Sequence, residues 1–429
     1  METFLQWIDS KLMPPLARLS EVRHLRAIRD GIISALPLIL VGAFFLIIAN
    51  PPIPGLAKMV EPYTNDILIP FRLTLGLMAL YASFGMGYSL ARSYKLDGIS
   101  GGMLTMATFI MATIPVNLDD KLPKDQPLGW LLPMENLGGS GLFMSILAML
   151  IAVESLRFFK KHRITLKMPD SVPSSVSRSF EALIPAAFII VVMWVIRVWL
   201  GIDLNEVLHA IFKPLAAFAG NSYLGALVPV IFIMLLWSAG IHGDAVVGTV
   251  FQPIWFALLD QNAAAAAAGK ALPNLIVEPF FQWFVWIGGS GTSIGLAILM
   301  CFSKSSYLKK VGRFSIVPGI FNINEPIVFG VPMVMNPLMF IPFVLVPIFC
   351  TTTTYIAFSL DLINRVATIP PWTLPAPIGA YLATGGDWRA IVLCLVNICL
   401  SVLIYYPFFK VFEKRMLKEE KGELAQSAS

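Results

Sequence analysis

Ten long apolar stretches constrain this chain more than any other feature of its sequence. Each is about 20 residues long, the length that an α-helix needs to cross the hydrocarbon core of a bilayer. The chain is 57% hydrophobic and only 13% charged, whereas soluble domains carry roughly 25% charged residues. The sequence therefore predicts an all-α polytopic membrane protein with about ten transmembrane helices. The predicted spans cover residues 28–49, 71–91, 99–116, 138–159, 179–200, 222–240, 244–260, 276–302, 338–360 and 388–411.

The basic residues predict how these spans are oriented. If the N-terminus is cytoplasmic, the segments on the cytoplasmic side hold 22 of the 31 Lys and Arg residues, in clusters at 11–29, 92–95, 157–178, 304–313 and 410–421. This topology satisfies the positive-inside rule and the inverse topology does not. With ten crossings, both termini are expected in the cytoplasm.

Three interruptions do not fit continuous helices. Residues 314–336 carry Glu325 and several prolines, and residues 364–387 contain Pro370-Pro-Trp-Thr-Leu-Pro-Ala-Pro377. Proline removes a backbone donor and clashes with the preceding turn, so neither segment can be one regular helix. A third break, Gly288-Gly-Ser-Gly-Thr292, lies within the stretch 276–302. Because irregular backbone at membrane depth must be buried in protein or line a cavity, we predict re-entrant hairpins here.

Between the fifth and sixth spans, residues 203–220 have apolar side chains at helical spacing and polar side chains on the other faces. This pattern is typical of an amphipathic helix lying along the membrane interface, although a short core helix of the soluble type is the alternative. All the broken, polar sequence follows this point. We therefore predict a five-span scaffold domain over 1–200, an interfacial linker helix over 201–221, a substrate-binding transport core over 222–412 and a cytoplasmic tail over 413–429.

The strongest candidate site is the polar cluster Asn322, Asn324 and Glu325, which interrupts apolar sequence. A carboxylate at membrane depth costs about 2.5–3.5 kcal/mol on insertion scales unless it faces a cavity or a partner. Glu325 can accept two sugar hydroxyl groups, or take the proton of a hydroxyl that attacks phosphorus. The Asn324 amide supplies a donor and acceptors. The structural alternative for Glu325 is an ion pair with Arg313 or Arg365.

A second candidate is the stretch Trp237-Ser-Ala-Gly-Ile-His-Gly-Asp244. His242 lies between Gly240 and Gly243. Glycine lets the backbone turn sharply, so the His242 ring can project into a cavity. The alternative is a histidine at the membrane boundary that hydrogen-bonds to a carbonyl. For Asp244 we expect a cap on the following helix.

Trp372 offers a flat face to the apolar side of a sugar ring, and its alternative is a tryptophan of the interfacial belt. Trp237, Trp283 and Trp286 are weaker candidates of the same kind. The sequence has no phosphate-binding Gly-x4-Gly-Lys-Ser/Thr loop, so nucleotide hydrolysis by that route is excluded. The four cysteines lie in or beside apolar stretches without metal-like spacing, so we expect them to pack and expect no metal or cofactor.

Several of these motifs resemble a known family. Gly-Ile-His-Gly at 240–243 and Phe-Asn-Ile-Asn-Glu-Pro-Ile-Val-Phe-Gly-Val-Pro-Met-Val-Met-Asn-Pro at 321–337 resemble the membrane subunit, enzyme IIC, of the bacterial phosphotransferase system. Residues 169–185, 288–291 and 371–375 also resemble it, and the likeness is to the lactose, cellobiose and diacetylchitobiose class.

The resemblance implies a protein of the bacterial cytoplasmic membrane that imports a disaccharide and is a homodimer, with 1–200 as the dimerisation domain. A separate enzyme IIB bearing a phosphocysteine, itself supplied by IIA, would dock on the cytoplasmic side and phosphorylate the sugar. By this resemblance Glu325 and His242 lie near the reacting hydroxyl, and Asn324 and Trp372 line the sugar site. We include Asn322, Trp237 and Gly240 among the substrate-binding candidates, and expect no nucleic-acid partner.

A rival function remains open from the residues alone. A proton-coupled secondary transporter would move an unmodified sugar, with Glu325 as its proton-binding site. It would work without a phosphorylated partner protein. A receptor or structural role is the third alternative, which predicts sugar binding without accumulation.

Overall fold

The computed structural model describes residues 22–49, 51, 54–117, 129–166, 168–169, 172–173, 180–238, 242–331, 333 and 337–427. Within these ranges the fold is helical, and the only strands form one two-residue antiparallel pair, β1 (Val116–Asn117) with β2 (Trp130–Leu131). The all-α membrane architecture predicted from the sequence is confirmed.

In the described residues before 195, the chain forms seven α-helices. They are α1 (Arg23–Ala49), α2 (Pro54–Val60), α3 (Thr64–Leu73), α4 (Met78–Ser93), α5 (Gly98–Met111), α6 (Leu142–Lys161) and α7 (Leu183–Trp194). Gly87 of α4 and Gly101 of α5 lie where a Cβ atom would collide with the facing helix. Small residues at such crossings let two helix backbones approach closely, which is how membrane helices gain packing without a hydrophobic drive.

A single turn of π-helix, Val195–Trp199, follows α7 and precedes α8 (Leu204–Asn221). Asp203 begins α8 because its Oδ1 accepts hydrogen bonds from the backbone of Asn205 and Glu206. The axis of α8 is bent 82° from that of Leu183–Trp199. That angle agrees with a helix that runs along a membrane surface after a crossing helix.

The second part of the chain contains long and short helices. They are α9 (Tyr223–Ser238), α10 (Gly243–Ala267), α11 (Glu278–Phe284), α12 (Ile294–Cys301), α13 (Ser306–Ile320), α14 (Glu325–Gly330), α15 (Pro337–Ser359), α16 (Ala376–Ala383) and α17 (Trp388–Ser427). The three predicted interruptions fall between α11 and α12, between α13 and α14, and before α16. The proline-rich run stays non-helical until Ala376.

By length and composition, five helical segments in the described ranges can cross a membrane, or six if the bent pair around residue 200 counts as one span. The predicted spans 99–116 and 222–240 correspond to the shorter apolar helices Gly98–Met111 and Tyr223–Trp237. The predicted span 276–302 is broken into α11 and α12. The count of ten crossings stays a prediction, because in the described ranges the broken helices, the short helices and α10 (Gly243–Ala267) are not among the segments that are both long and apolar enough.

Helix α17 contacts the turn between α12 and α13, which leads into the α13–α14 hairpin. Glu413 accepts hydrogen bonds from the Ser303 hydroxyl at 2.7 Å and the Lys304 backbone at 2.6 Å. At the start of α13, the Tyr307 hydroxyl donates a hydrogen bond to the carbonyl oxygen of Gly330 at 2.7 Å. The two bonds to Glu413 join the turn before α13 to α17, and the Tyr307 bond joins the start of α13 to the end of α14.

Candidate functional site

Three interrupted segments meet in the interior of the second part of the chain. They are the turn between α11 and α12 (residues 285–293), the tip between α13 and α14 (residues 321–324) and the extended run 370–375. The first needs glycine, because Gly288, Gly289 and Gly291 have φ angles of +79°, +98° and +82°. A Cβ on Gly289 would also lie 2.5 Å from Cγ of Asn324.

The side chains of two asparagines join these segments. Asn322 Oδ1 accepts a hydrogen bond from the Gly288 backbone at 3.0 Å, and its Nδ2 donates to the carbonyls of Trp372 at 2.9 Å and Leu374 at 3.0 Å. Asn324 Nδ2 donates to the carbonyl of Ser290 at 2.8 Å. Backbone groups that lack a helical partner at the breaks are thus satisfied by amide side chains.

A cavity of about 240 Å³ lies where the segments meet. Helices α9, α10 and α11 and the three breaks all contribute to its lining. Four tryptophans and one phenylalanine are among the lining residues. The lining residues are Ile233, Trp237, His242, Asp244, Gly248, Gln252, Trp255, Glu278, Phe281, Gln282, Trp286, Gly289, Ser290, Asn322, Asn324 and Trp372.

His242 and Asp244 belong to one aromatic and acidic corner of this cavity. The His242 and Trp237 rings lie 4.4 Å apart between centroids, at 45°. Asp244 Oδ2 accepts hydrogen bonds from Trp237 Nε1 at 3.1 Å and from the Ser290 hydroxyl at 2.9 Å. The helix cap expected for Asp244 is therefore corrected: its carboxylate lies inside the first turn of α10 and joins α9 to the glycine turn.

Five of the predicted substrate-binding residues line this one cavity: Trp237, His242, Asn322, Asn324 and Trp372. Trp286, a weaker candidate, lines it too, whereas Trp283 is fully buried against Gly379.

Two predicted residues are not placed in the same way. Gly240 lies outside the described residues. Glu325 is described through its backbone, as the first residue of α14 at the hairpin tip, but its side chain lies outside the described part. Its suggested partner Arg365 is 3.6 Å from Asp361 Oδ1 and donates to the carbonyls of Leu272 and Pro273.

Sequence reasoning missed Gln252, Trp255, Glu278 and Gln282, all of which line the cavity. Glu278 could have been found, because it is an acid within apolar sequence, the same signal that identified Glu325. The two glutamines carry no such signal. Their importance depends on which other groups they face, and only the fold reveals that.

The arrangement suits an uncharged ligand rich in hydroxyl groups. Tryptophan rings can cover the apolar faces of such a ligand, while amides and carboxylates bind its edges. In the described ranges no group of three or more His, Cys, Asp and Glu side chains is arranged to hold a metal ion.

Comparisons with known proteins show which family the chain is similar to. The family model for the phosphotransferase system, EIIC, matches residues 29–347. The cellobiose-specific EIIC component of Geobacillus stearothermophilus is 41% identical over 440 residues, which cover 99% of this chain and 97% of that protein. The lichenan permease IIC component of Bacillus subtilis is 39% identical over 437 residues, covering 98% and 96%.

The fold is also similar to a solved structure. The crystal structure of the transporter ChbC, the IIC component of the N,N'-diacetylchitobiose-specific phosphotransferase system, superimposes with a TM-score of 0.91 at 38% sequence identity. The match covers 97% of this chain and 99% of that one.

Proposed function

The chain belongs to the EIIC family of the phosphotransferase system, and from that premise we propose that it imports a β-linked disaccharide of the cellobiose or diacetylchitobiose type. It presents the sugar to a separate IIB protein, whose phosphocysteine phosphorylates it. The observation that carries this proposal is the convergence of Trp237, His242, Asn324 and Trp372 on one interior cavity bounded by three helix breaks.

The chemistry proposed for the site is transfer of a phosphoryl group from sulfur to oxygen. A sugar hydroxyl oxygen attacks phosphorus, the new O–P bond forms, the S–P bond breaks and the cysteine leaves as thiolate. The hydroxyl proton passes to the carboxylate of Glu325, the residue that begins the hairpin helix α14. His242 orients the hydroxyl, and Trp372 covers a face of the sugar ring. The protein contributes mainly orientation, since the phosphoryl donor belongs to the partner.

The same proposal includes the oligomeric state, the membrane orientation and the partner proteins. The protein is a homodimer through its first five spans, with both termini in the cytoplasm of a bacterium, and IIA supplies IIB. Residues 1–200 act as scaffold and residues 222–412 as transport core, with 201–221 as the link and 413–429 as tail. Lys304, Lys309, Lys310 and Arg313 lie at the base of the α13–α14 hairpin, where they attract an acidic face of IIB.

The deciding experiment is reconstitution of the purified protein in vesicles with phosphorylated IIB, using cellobiose and N,N'-diacetylchitobiose. We expect sugar phosphate as the product, and no dependence on a proton gradient. Glu325→Gln keeps the size of the side chain but removes the proton acceptor, so we expect sugar binding within a few-fold of the parent and phosphorylation about 10²- to 10⁴-fold slower.

Two results would overturn the proposal. Delivery of unmodified sugar without IIB, abolished by collapse of the proton gradient, would make the protein a symporter. Full phosphotransfer by the Glu325→Gln variant would remove the carboxylate from its assigned role.

A further inference from the structure

Three polar side chains, Gln252, Glu278 and Gln282, lie at the boundary between the central cavity and a neighbouring one. We call this boundary the neck. The neighbour has a volume of about 310 Å³ and extends toward α1, where Ile32, Leu36 and Leu40 line it. Gln252, Glu278 and Gln282 line both cavities, together with Trp372. A ligand that spans the two cavities must pass these side chains.

Hydrogen bonding sets these three side chains apart from the rest of the cavity lining. Within the described residues, neither the amides of Gln252 and Gln282 nor the carboxylate of Glu278 has a hydrogen bond, and Glu278 Oε2 is buried. The buried Nε1 of Trp255, which lines the central cavity, is also without one. The other polar residues of the cavity differ, because Asp244, Ser290, Asn322 and Asn324 are all bonded to protein groups.

Unpartnered polar groups of this kind are costly. A buried acceptor without a donor costs about 1–3 kcal/mol, and more if it is charged. Native proteins satisfy nearly all such groups, so the two buried exceptions here, Glu278 Oε2 and Trp255 Nε1, call for an explanation. A ligand that brings its own hydroxyl groups supplies one.

We infer that Gln252, Glu278 and Gln282 bind the hydroxyl groups of the sugar and determine which β-disaccharide the protein accepts. This inference rests on the proposed function. The Glu278 carboxylate accepts hydrogen bonds from sugar hydroxyls, the glutamine amides both donate and accept, and the Trp255 indole donates. The asparagines of the hairpin tip then serve to hold the site together, and discrimination between sugars comes from the neck.

The position of the cluster explains why it would select among disaccharides. A site built to pair with a hydroxyl rejects an analogue that lacks it, because its own polar groups are then left unpaired. The neck lies between two cavities, so its three side chains meet a disaccharide near the middle, where the linkage and the adjacent substituents differ between sugars.

The test measures stability and binding on the same variants, Glu278→Ala, Gln252→Ala and Gln282→Ala. Removal of a group that has no protein partner should leave the unfolding temperature of the sugar-free protein unchanged, or raise it for Glu278→Ala, since a buried carboxylate is removed. The affinity for cellobiose should fall about 10- to 100-fold for Glu278→Ala. The ratio of cellobiose to N,N'-diacetylchitobiose affinity should change for all three variants.

Gln261→Ala is the matched control. It lies on the same helix as Gln252, lines a different cavity, and its Oε1 accepts a hydrogen bond from Asn274. We expect this variant to bind both sugars like the parent. Purified protein in detergent suffices, because binding needs no partner.

The outcomes separate this inference from the proposed function. A lower unfolding temperature with unchanged sugar preference would make the cluster structural and overturn the inference, while uptake with IIB continues. Unchanged sugar binding combined with proton-coupled uptake that is lost in Glu278→Ala would make Glu278 a proton site and overturn both. Failure of the parent protein to bind either sugar would overturn the proposed function, and the inference with it.

Discussion

Asn322 illustrates how a residue can line a site without being free to bind its ligand. Its side-chain oxygen accepts one hydrogen bond and its nitrogen donates two, all to backbone groups of other segments. The two N–H donors of an amide are thereby used. Of the two asparagines, Asn324 retains more capacity for a sugar, because only its Nδ2 has a protein partner among the described residues.

We therefore predict that Asn322→Ala acts on stability first. The substitution leaves the Gly288 N–H and the carbonyls of Trp372 and Leu374 without their partner in the interior, so the free energy of unfolding should fall by about 2–4 kcal/mol. Thermal unfolding in detergent measures this loss. Asn65→Ala is the control, because its side chain is exposed and accepts only from Arg72. Equal unfolding temperatures for the two variants would contradict the role assigned to Asn322.

The sequence predicts residues of the site only where a polar side chain or a helix break interrupts an apolar stretch. Asn322, Asn324 and His242 are predicted in this way and Trp372 by its place in a proline-rich break, and all four line one cavity. Glu278 has the same signal, but it lies near the start of the predicted span 276–302, away from the glycine break at 288–292. Whether a polar side chain is bonded to protein or left for a ligand depends on distances between distant segments, which the sequence does not encode locally.

At the scale of elements, helix α17 compensates for the break between α11 and α12. Asn397, Ser401 and Tyr405 lie one turn apart on one face of α17, and they donate to the carbonyls of Phe284, Thr292 and Gly291 at 2.7–2.8 Å. These carbonyls have lost the helical partners that a continuous crossing would give them. A polar stripe at i, i+4 and i+8 in an apolar helix thus indicates a broken neighbour. The sequence predicted the break from its glycines but not its partner helix.

Tyr405→Phe tests this compensation with the loss of a single oxygen. Tyr405 is fully buried, so the Gly291 carbonyl should lose its partner and the variant should be less stable by about 1–3 kcal/mol. Sugar phosphorylation should fall as well, because the glycine turn supports Asn324 through the Ser290 carbonyl. Tyr406→Phe is the matched control: it is half exposed, and its hydroxyl has no hydrogen bond within the described ranges. Indistinguishable unfolding of the two variants would show that the turn is held by other contacts.

At the scale of the whole molecule, the proposed reaction requires that the two faces of the protein differ. Sugar enters from outside, and the phosphoryl donor arrives from the cytoplasm at the base of the α13–α14 hairpin. A cavity of about 570 Å³ lies near the C-terminal end of α1, where Leu46 and Ile47 line it together with Lys270 and Arg365. The positive-inside rule assigns this end to the outside and the hairpin base to the cytoplasm. The distribution of the basic residues thus predicts an orientation that can be measured.

We predict that Lys270→Cys reacts with a membrane-impermeant maleimide in intact cells, whereas Lys310→Cys reacts only after the membrane is permeabilised. Both lysines are exposed, and they lie after α10 and within α13. Cys301 and Cys399 are replaced by alanine first, because they are the native cysteines that are not buried. The parent without added cysteine is the control, and it should remain unlabelled. Labelling of Lys310→Cys from outside would reverse the topology. A cytoplasmic IIB could then not reach the hairpin, and phosphorylation would have to be abandoned in favour of transport without chemistry.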